Sequence, residues 1–243
     1  MDLRLASSAK RAIGAAVLLI AVPCAQAEPW AIEGSTSLSS GLIDRGETLA
    51  TLNNETSFSL TRETDFGGVY AGLYRISPIG SEAGAFDEEV DFTIGMSFEQ
   101  NGAAFDVSAN YLTYPGSAEE KTLELAGEVG FDLPIAPSLA VFYDIDQDIY
   151  GAEAAVSPAV ENGPWTLTGI ARVGLVASDE ADYSYGGLEG VISRQIDDAF
   201  AVEGFARIEA ADADNFVATV RNDQVTETKS NGAVLGLRLN VQR

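Results

Sequence analysis

The chain of 243 residues contains no histidine and only one cysteine. Without an imidazole it cannot build a Ser-His-Asp triad, a Cys-His dyad, or a His-ligated zinc or haem site. One cysteine cannot form an intramolecular disulfide or a thiolate metal cluster. A pair of carboxylates for glycoside hydrolysis would still be available, although no pair stands out in the sequence. We therefore expect a protein that is not an enzyme.

Basic residues are also scarce. There are 14 Lys and Arg against 37 Asp and Glu, which gives a formal net charge of −23. This balance argues against a nucleic-acid partner, because such binding depends on neutralising phosphates with Lys and Arg. The apolar content of 46% is well above that of disordered chains, and the length suits one domain or two small ones.

Residues 1–27 have the three parts of a secretory signal peptide. A basic start is followed by an apolar run at 12–22 and by the small-x-small cleavage pattern of Ala25 and Ala27. The apolar run is too short to cross a bilayer as a helix, which takes about 20 residues. No later stretch approaches the length of a membrane-spanning helix. We therefore predict an exported protein whose mature domain covers residues 28–243.

Apolar and polar residues alternate along most of the mature chain. In residues 90–99, Val90, Phe92 and Ile94 alternate with Asp91 and Thr93, as expected for a strand with one apolar and one polar face. No segment shows a sustained helical period. The pattern predicts twelve strands, at 30–40, 53–62, 69–77, 89–99, 103–114, 121–131, 138–145, 149–157, 165–175, 183–194, 199–209 and 231–241.

The links between these strands alternate in length. Links after even strands are short, and two of them contain Asn-Gly, the strongest short hairpin signal. Links after odd strands are mostly longer and rich in acid, at 41–52, 78–88, 115–120, 176–182 and 210–230. Outer-membrane barrels have short periplasmic turns, longer outer loops and an even number of strands. We therefore predict an all-β, antiparallel, up-and-down transmembrane β-barrel of about twelve strands over residues 28–243.

Aromatic residues are predicted to form two bands, one at each end of the strands, like the interfacial girdles of a membrane barrel. A soluble β-sandwich or lipocalin-like barrel, the alternative, would place them at mid-strand. The first band, near the short turns, contains Trp30, Tyr70, Phe98, Phe105, Phe131, Trp165 and Phe200. The second, near the longer loops, contains Tyr74, Tyr111, Tyr114, Tyr150, Tyr183 and Tyr185.

In a membrane barrel the polar strand faces line the lumen. The uncharged lumen candidates are Ser35, Ser37, Ser57, Thr93, Ser108, Asn110, Thr166, Thr168 and Asn240. The charged pore-lining candidates are Glu33, Glu55, Asp91, Asp106, Glu124, Glu128, Asp144, Glu153, Arg172, Glu203, Arg207 and Arg238. Each charge could instead be solvated or belong to a structural ion pair. Arg45, which follows the first strand, could constrict the mouth of the pore or fix its loop by pairing with carboxylates, and we favour the second role.

Three short motifs resemble those of the TorF family of porins. Ser-Ser-Gly-Leu-Ile-Asp-Arg-Gly at 39–46 is similar to the family signature Ser-x-Tyr-x-x-x-Arg-Gly, with Gly41 and Leu42 near the place of the family tyrosine. Gly-Gly-Val-Tyr-Ala-Gly-Leu-Tyr at 67–74 resembles its Gly-x-Tyr-Ala-Gly strand, and Tyr-Leu-Thr-Tyr-Pro-Gly at 111–116 its Tyr-x-Tyr-Pro strand end. The resemblance implies an outer-membrane β-barrel that acts as a channel.

The preferred function is passive diffusion of small polar solutes or ions across the outer membrane. Barrels of about eight strands are filled by side chains and those of about sixteen hold an open channel, so twelve indicates a narrow bore. A lumen richer in carboxylates than in Arg favours cations. The alternative is a structural or surface-binding barrel that does not conduct.

We expect four kinds of partner: outer-membrane lipid, lipopolysaccharide, small solutes or ions, and the barrel-assembly machinery. No cofactor is expected. Weakly bound Ca²⁺ or Mg²⁺ is possible at the acidic outer loops, since hard cations prefer carboxylate oxygens, but solvated loops are the simpler interpretation. These acidic clusters are Glu82/Asp87/Glu88/Glu89, Asp144/Asp146/Asp148, Asp179/Glu180/Asp182 and Glu209/Asp212/Asp214.

Overall fold

A computed structural model describes residues 30–79, 88–115, 121–179, 182–221 and 224–243. The predicted signal peptide lies outside the described residues. Within these ranges, no helix is long and apolar enough to cross a membrane. The described strands are β1 (Trp30–Ser39), β2 (Leu42–Asp44), β3 (Glu47–Ala50), β4 (Asn53–Thr64), β5 (Gly67–Pro78), β6 (Glu89–Gln100), β7 (Ala103–Thr113), β8 (Lys121–Phe131), β9 (Pro137–Asp144), β10 (Ile149–Val156), β11 (Ala159–Asn162), β12 (Trp165–Ala177), β13 (Tyr183–Gln195), β14 (Phe200–Ala211), β15 (Phe216–Arg221), β16 (Gln224–Lys229) and β17 (Asn231–Gln242).

Twelve of these strands form a closed antiparallel ring. Neighbouring strands pair in the order β1, β4, β5, β6, β7, β8, β9, β10, β12, β13, β14 and β17. The ring closes where β1 pairs with β17, with Ser35 opposite Asn240. β10 pairs directly with β12, with Ala152 opposite Leu175. The predicted twelve-stranded up-and-down barrel is therefore confirmed.

The other five strands lie in the connections. β11 extends the short link between β10 and β12 by pairing with the start of β12. β15 pairs with β16 inside the predicted loop 210–230. β2 pairs with β3 inside the predicted loop 41–52. The link 41–52 was expected among the longer outer loops, which is wrong, because residues 42–50 form a hairpin that is almost entirely buried.

The outer surface of the barrel is apolar. On β6, Ile94 is 67% exposed, and on β17, Leu237 is 66% exposed. The neighbours of these residues on the same strands, Thr93 and Arg238, lie on the opposite face and are partly buried. An apolar band that encircles a barrel is the lipid-facing surface of a transmembrane barrel, where the alternation of an ordinary sheet is reversed.

The aromatic band near the short turns largely faces outward. Its outward members are Trp30, Phe98, Phe105, Phe131, Trp165 and Phe200. Phe98 and Phe105 stack across β6 and β7 with ring centroids 5.0 Å apart. Tyr70 is the exception, since its hydroxyl points inward and donates to Asp106.

The second aromatic band is only partly correct. Tyr111 and Tyr150 are exposed on the outer surface, but four tyrosines lie on the inner face and are shielded from solvent. The prediction used the position of each ring along its strand and ignored strand parity, which turns successive side chains to opposite faces. The four inward-facing tyrosines are Tyr74, Tyr114, Tyr183 and Tyr185.

Candidate functional site

The β2–β3 hairpin lies inside the barrel. Residues 42–50, called the lumen hairpin below, connect β1 to β4 and are almost completely buried, with Leu49 2% exposed and Ala50 0% exposed. The hairpin turns at Arg45 and Gly46, whose φ angles of 44° and 83° are both positive. Such a pair forms the two-residue turn that tight hairpins favour. The tip then points across the bore instead of out to solvent.

Arg45 bridges the lumen hairpin to the opposite wall. Its guanidinium donates to both carboxylate oxygens of Glu124 on β8, at 2.7 and 3.3 Å. The same group lies 3.5 Å from the ring centroid of Phe142 on β9. Burial by itself would lower the pKa of Arg45, but Glu124 and Asp44 raise it above its ordinary value. Arg45 therefore stays charged, and a bidentate ion pair closes the hairpin against the far wall.

Gly46 seats the tip against a second part of the wall. Its amide donates to Glu209 on β14 at 2.7 Å, and Arg207 donates to the other oxygen of Glu209 at 2.8 Å. A Cβ on Gly46 would lie 2.7 Å from the Cβ of Tyr185 on β13. Glycine is therefore required here both by the positive φ and by the close approach of the ring.

The sides of the lumen hairpin pack on apolar side chains. Leu42 and Leu49 share a buried cluster with Ile76 of β5, Leu112 of β7 and Tyr114, which follows β7. On the other side, Ile43 contacts Phe216 of β15 and Val234 of β17. Phe216 is fully buried, so the start of the predicted loop 210–230 does fold inward, as a support for the hairpin.

Gly46→Ala should unseat the hairpin, because it adds both backbone strain and a clash with Tyr185. The strain alone costs about 1–2 kcal/mol. The exposed peptide bond after Arg45 should then become sensitive to trypsin, which gel electrophoresis of the folded protein would detect. Gly102→Ala is the matched control, since φ is 78° there but nothing lies within 4 Å of the added Cβ. Equal trypsin resistance of both variants would contradict this packing.

Glu124→Gln should destabilise the folded barrel, because it leaves the buried Arg45 without its charged partner. Removing one member of a buried pair costs about 3–5 kcal/mol. We expect a lower urea midpoint for the loss of the fast-migrating folded band on unheated gels. The double variant R45L/E124L should recover much of that midpoint, because an apolar pair avoids the stranded charge. A double variant no more stable than the single one would argue against the ion pair.

Burial along the strands shows where the lumen is filled. On β1, the inward side chains Ser39 and Ser37 are buried near the lumen hairpin, whereas Ser35 and Glu33 are only partly buried toward the short-turn end. The lumen hairpin therefore occupies the end of the bore with the longer loops. The inward face toward the short turns is polar and less enclosed.

Three carboxylates form an acidic arc on one side of this polar region. Asp106 on β7 lies directly opposite Glu128 on β8, and Glu128 and Glu153 of β10 both pair with Ala140 of the strand between them. No described Lys or Arg forms an ion pair with any of the three. Like charges directly opposite each other weaken a sheet, so the arc is not explained by stability.

Two tyrosines hold this acidic arc in place by lying flat on the wall. Tyr70 crosses β6 to donate to Asp106 at 2.8 Å, and Tyr185 crosses β12 to donate to Glu153 at 2.9 Å. Each ring covers a glycine, where a Cβ would come within 2.3 Å of it, at Gly95 and Gly174 respectively. The two glycines let the rings lie against the wall.

The inward arginines of β12, β14 and β17, the strands that follow the arc around the ring, are all paired with glutamates. Arg172 donates to Glu189 at 2.5 Å, and Arg238 donates to Glu203 at 3.2 Å. Arg207 pairs with Glu209, which also binds the hairpin. This side of the lumen is therefore close to neutral, whereas the carboxylates of the acidic arc have no ion-pair partner among the described residues.

The structure brings most of the predicted lumen residues to the inner face but gives several of them structural partners. Glu55 accepts hydrogen bonds from Tyr74 and Ser37. Asp144 accepts from the backbone amides of Asp146 and Gln147, which closes the β9–β10 turn. Asp91 is buried beside the hairpin, and Glu33 receives only a long contact of 3.4 Å from Gln242.

The sequence analysis misplaced two acidic residues and missed a third. Glu89 and Glu209 were expected in acidic outer loops, but they share the inward faces of Asp91 and Arg207. Glu189 was not singled out and shares the inward face of Tyr185, so strand parity alone could have placed all three. The inward side chains of the lumen hairpin, Asp44 and Glu47, had no such signal. Their position follows from the folding of the hairpin into the bore.

The acidic loops show no assembled metal site in the part of the chain that is described. No group of three or more His, Cys, Asp or Glu is arranged to hold a metal ion there. Asp146 and Asp148 accept hydrogen bonds from the amide of Leu123 and the hydroxyl of Tyr143. Glu82, Asp87 and Glu180 lie outside the described residues. Weak Ca²⁺ or Mg²⁺ binding at these loops stays a prediction.

Comparison with known proteins identifies the fold but no family. No protein-family model and no curated protein matches the chain. The NanC porin structure matches with a TM-score of 0.52 at 8% identity, over 86% of this chain and 98% of that one. An outer-membrane channel of Pseudomonas putida F1 matches with a TM-score of 0.54 at 10% identity, over 90% and 97%. The chain has the fold of an outer-membrane channel. The TorF resemblance stays a prediction.

Proposed function

We propose that this protein is a narrow outer-membrane channel for passive diffusion of small polar solutes or ions. The observation that carries the proposal is the polar inner wall outside the lumen hairpin, with the acidic arc of Asp106, Glu128 and Glu153 on its surface. A barrel that served only as a scaffold could fill its lumen with apolar side chains. Here a polar lining continues below the hairpin to the short-turn end.

The charge distribution supports a preference for cations. The acidic arc of Asp106, Glu128 and Glu153 faces the bore, whereas the inward arginines of β12, β14 and β17 are neutralised by glutamates. Charged rings of one sign select ions of the other sign in other pores. A cation would therefore pass along the side of the lumen formed by β7, β8 and β10.

The remaining assignments are part of the same proposal. The protein is exported by residues 1–27, inserted by the barrel-assembly machinery, and surrounded by lipid and lipopolysaccharide. The exposed apolar band supports the membrane setting. Membership of the TorF family rests on the three motifs at 39–46, 67–74 and 111–116. The Arg-Gly of the first motif forms the tip of the lumen hairpin.

A non-conducting barrel is the second candidate, and the burial of the hairpin favours it. Leu49, Ala50 and Phe216 are inaccessible to solvent, as they would be in a closed plug. The two candidates differ in whether the hairpin leaves a continuous path beside it.

Single-channel recording in a planar lipid bilayer tests the proposed function. We expect discrete conductance steps and, in a salt gradient, a reversal potential of the sign given by cation preference. Folded protein, shown by heat-modifiable migration, that inserts but gives no steps would support the non-conducting barrel. A reversal potential of the opposite sign would refute the cation preference while leaving the channel intact.

A further inference from the structure

Two tryptophan–arginine pairs recur on the outer surface at the short-turn end of the barrel. Trp30 of β1 lies directly opposite Arg62 of β4, and Trp165 of β12 lies directly opposite Arg194 of β13. In each pair the guanidinium lies over the indole ring, 5.4 Å from the centroid in the first and 5.2 Å in the second. The same arrangement thus occurs on two separate strand pairs, at the same end and on the same face.

Each pair marks the edge of the apolar band. The next outward pair beyond Trp30 and Arg62 is Ile32 opposite Leu60. Beyond Trp165 and Arg194, the corresponding pair is Leu167 opposite Ile192. Tryptophan at this position is typical of the depth of lipid head groups, where an amphipathic ring meets both hydrocarbon and water.

The two guanidiniums have no anionic partner in the described parts of the chain. Arg45, Arg75, Arg172, Arg207 and Arg238 each form an ion pair with a carboxylate there, whereas Arg62 and Arg194 form none and lie over their tryptophans. In a chain with a net charge of −23, a free arginine on the lipid side is conspicuous. An arginine fork matches phosphate geometry and binds it with charge-assisted hydrogen bonds.

We propose that the Trp30–Arg62 and Trp165–Arg194 pairs are binding sites for the phosphate groups of anionic phospholipids in the periplasmic leaflet. The indole occupies the interface and holds the guanidinium at the depth of the lipid phosphate. Four strand intervals separate β13 from β4 around the ring. At about 4.8 Å per interval, the two sites are far enough apart to bind separate lipids. The proposal rests on membrane insertion and not on conduction.

The test compares folding stability in two kinds of vesicle. The protein is refolded into phosphatidylcholine vesicles, where the choline ammonium offsets the phosphate charge, and into vesicles in which part of the lipid is phosphatidylglycerol, where it does not. The urea midpoint is followed by the folded band on unheated gels. The acidic chain as a whole is repelled by phosphatidylglycerol. The decisive quantity is therefore how much a substitution changes the urea midpoint in one kind of vesicle compared with the other. We expect R62Q/R194Q to lower the midpoint in phosphatidylglycerol vesicles more than in phosphatidylcholine vesicles.

Two controls separate lipid binding from a structural role. Arg75→Gln changes an outward arginine that already pairs with Glu88. It should therefore change the urea midpoint by the same amount in both kinds of vesicle. R62K/R194K, which keeps the charge, should retain most of the phosphatidylglycerol effect. A double Gln variant that loses the same midpoint in both vesicles would overturn the proposal.

Salt provides a test with the unaltered protein, in case the variant does not fold. Raising ionic strength screens charge at the membrane surface. The urea midpoint of the wild-type protein in phosphatidylglycerol vesicles should therefore fall relative to its midpoint in phosphatidylcholine vesicles. If salt only screened the repulsion between the acidic chain and the lipid, this relative midpoint would rise. Such a rise would contradict the two proposed sites. Because none of these measurements uses conductance, failure of the proposed channel would not affect them.

Discussion

Replacing residues 40–52 by a short Asn-Gly turn should raise the single-channel conductance several-fold. The deleted segment contains the lumen hairpin, whose side chains occupy the end of the bore with the longer loops. Ser39 and Asn53 lie directly opposite each other on β1 and β4, and Asn-Gly is suited to join two such strands. The ring of twelve strands should therefore close as before, with a wider path through it.

The measurement needs evidence that the barrel remains folded. Heat-modifiable migration and the urea midpoint would show this, and some loss of stability is expected because Leu42 and Leu49 leave their apolar contacts. Arg45→Gln is a useful companion, since it weakens the tie to Glu124 without removing the hairpin and should give a smaller or fluctuating increase. A folded deletion variant with unchanged conductance would show that the hairpin does not limit the pore.

The barrel itself could be predicted because strand parity and loop length are local signals. Apolar side chains at every second position, as in Phe92 and Ile94, specify a lipid-facing surface wherever a neighbouring strand continues the pattern. Prediction was weaker for the second aromatic band, because Tyr183 and Tyr185 are close to a loop yet share the inward face. Their parity along β13 places them on the inner face, whereas their nearness to a loop predicted an outward interfacial band.

The lumen hairpin could not be predicted from the same signals. Strands β2 and β3 are too short for a clear alternation, and Arg is not a residue normally expected at positive φ. The ion pair between Arg45 and Glu124 joins residues 79 positions apart, so it depends on closure of the whole ring of strands. Only the adjacent Arg45 and Gly46 indicated a turn at this position. The lumen charges were thus located by parity, whereas their pairing needed the three-dimensional structure.

Neutralising the acidic arc with D106N/E128Q/E153Q should lower the cation-to-anion permeability ratio about fivefold to tenfold. A carboxylate 4 Å from a cation stabilises it by about 1 kcal/mol in water, and 1.4 kcal/mol corresponds to a factor of ten. The ratio follows from the reversal potential in a salt gradient. Folding should not suffer, because Asp106 and Glu128 are directly opposite each other and their repulsion is relieved.

A matched variant distinguishes the arc from the net charge of the chain. D132N/E161Q/D198N removes the same number of charges from exposed residues at the short turns, outside the bore. Salt screens such exposed charges over about 10 Å, so this variant should change the ratio only slightly. Equal effects of the two triple variants would assign selectivity to the overall acidity of the protein. A loss confined to the first variant would place selectivity on the wall of β7, β8 and β10, whose three inward carboxylates form no ion pair with a described Lys or Arg.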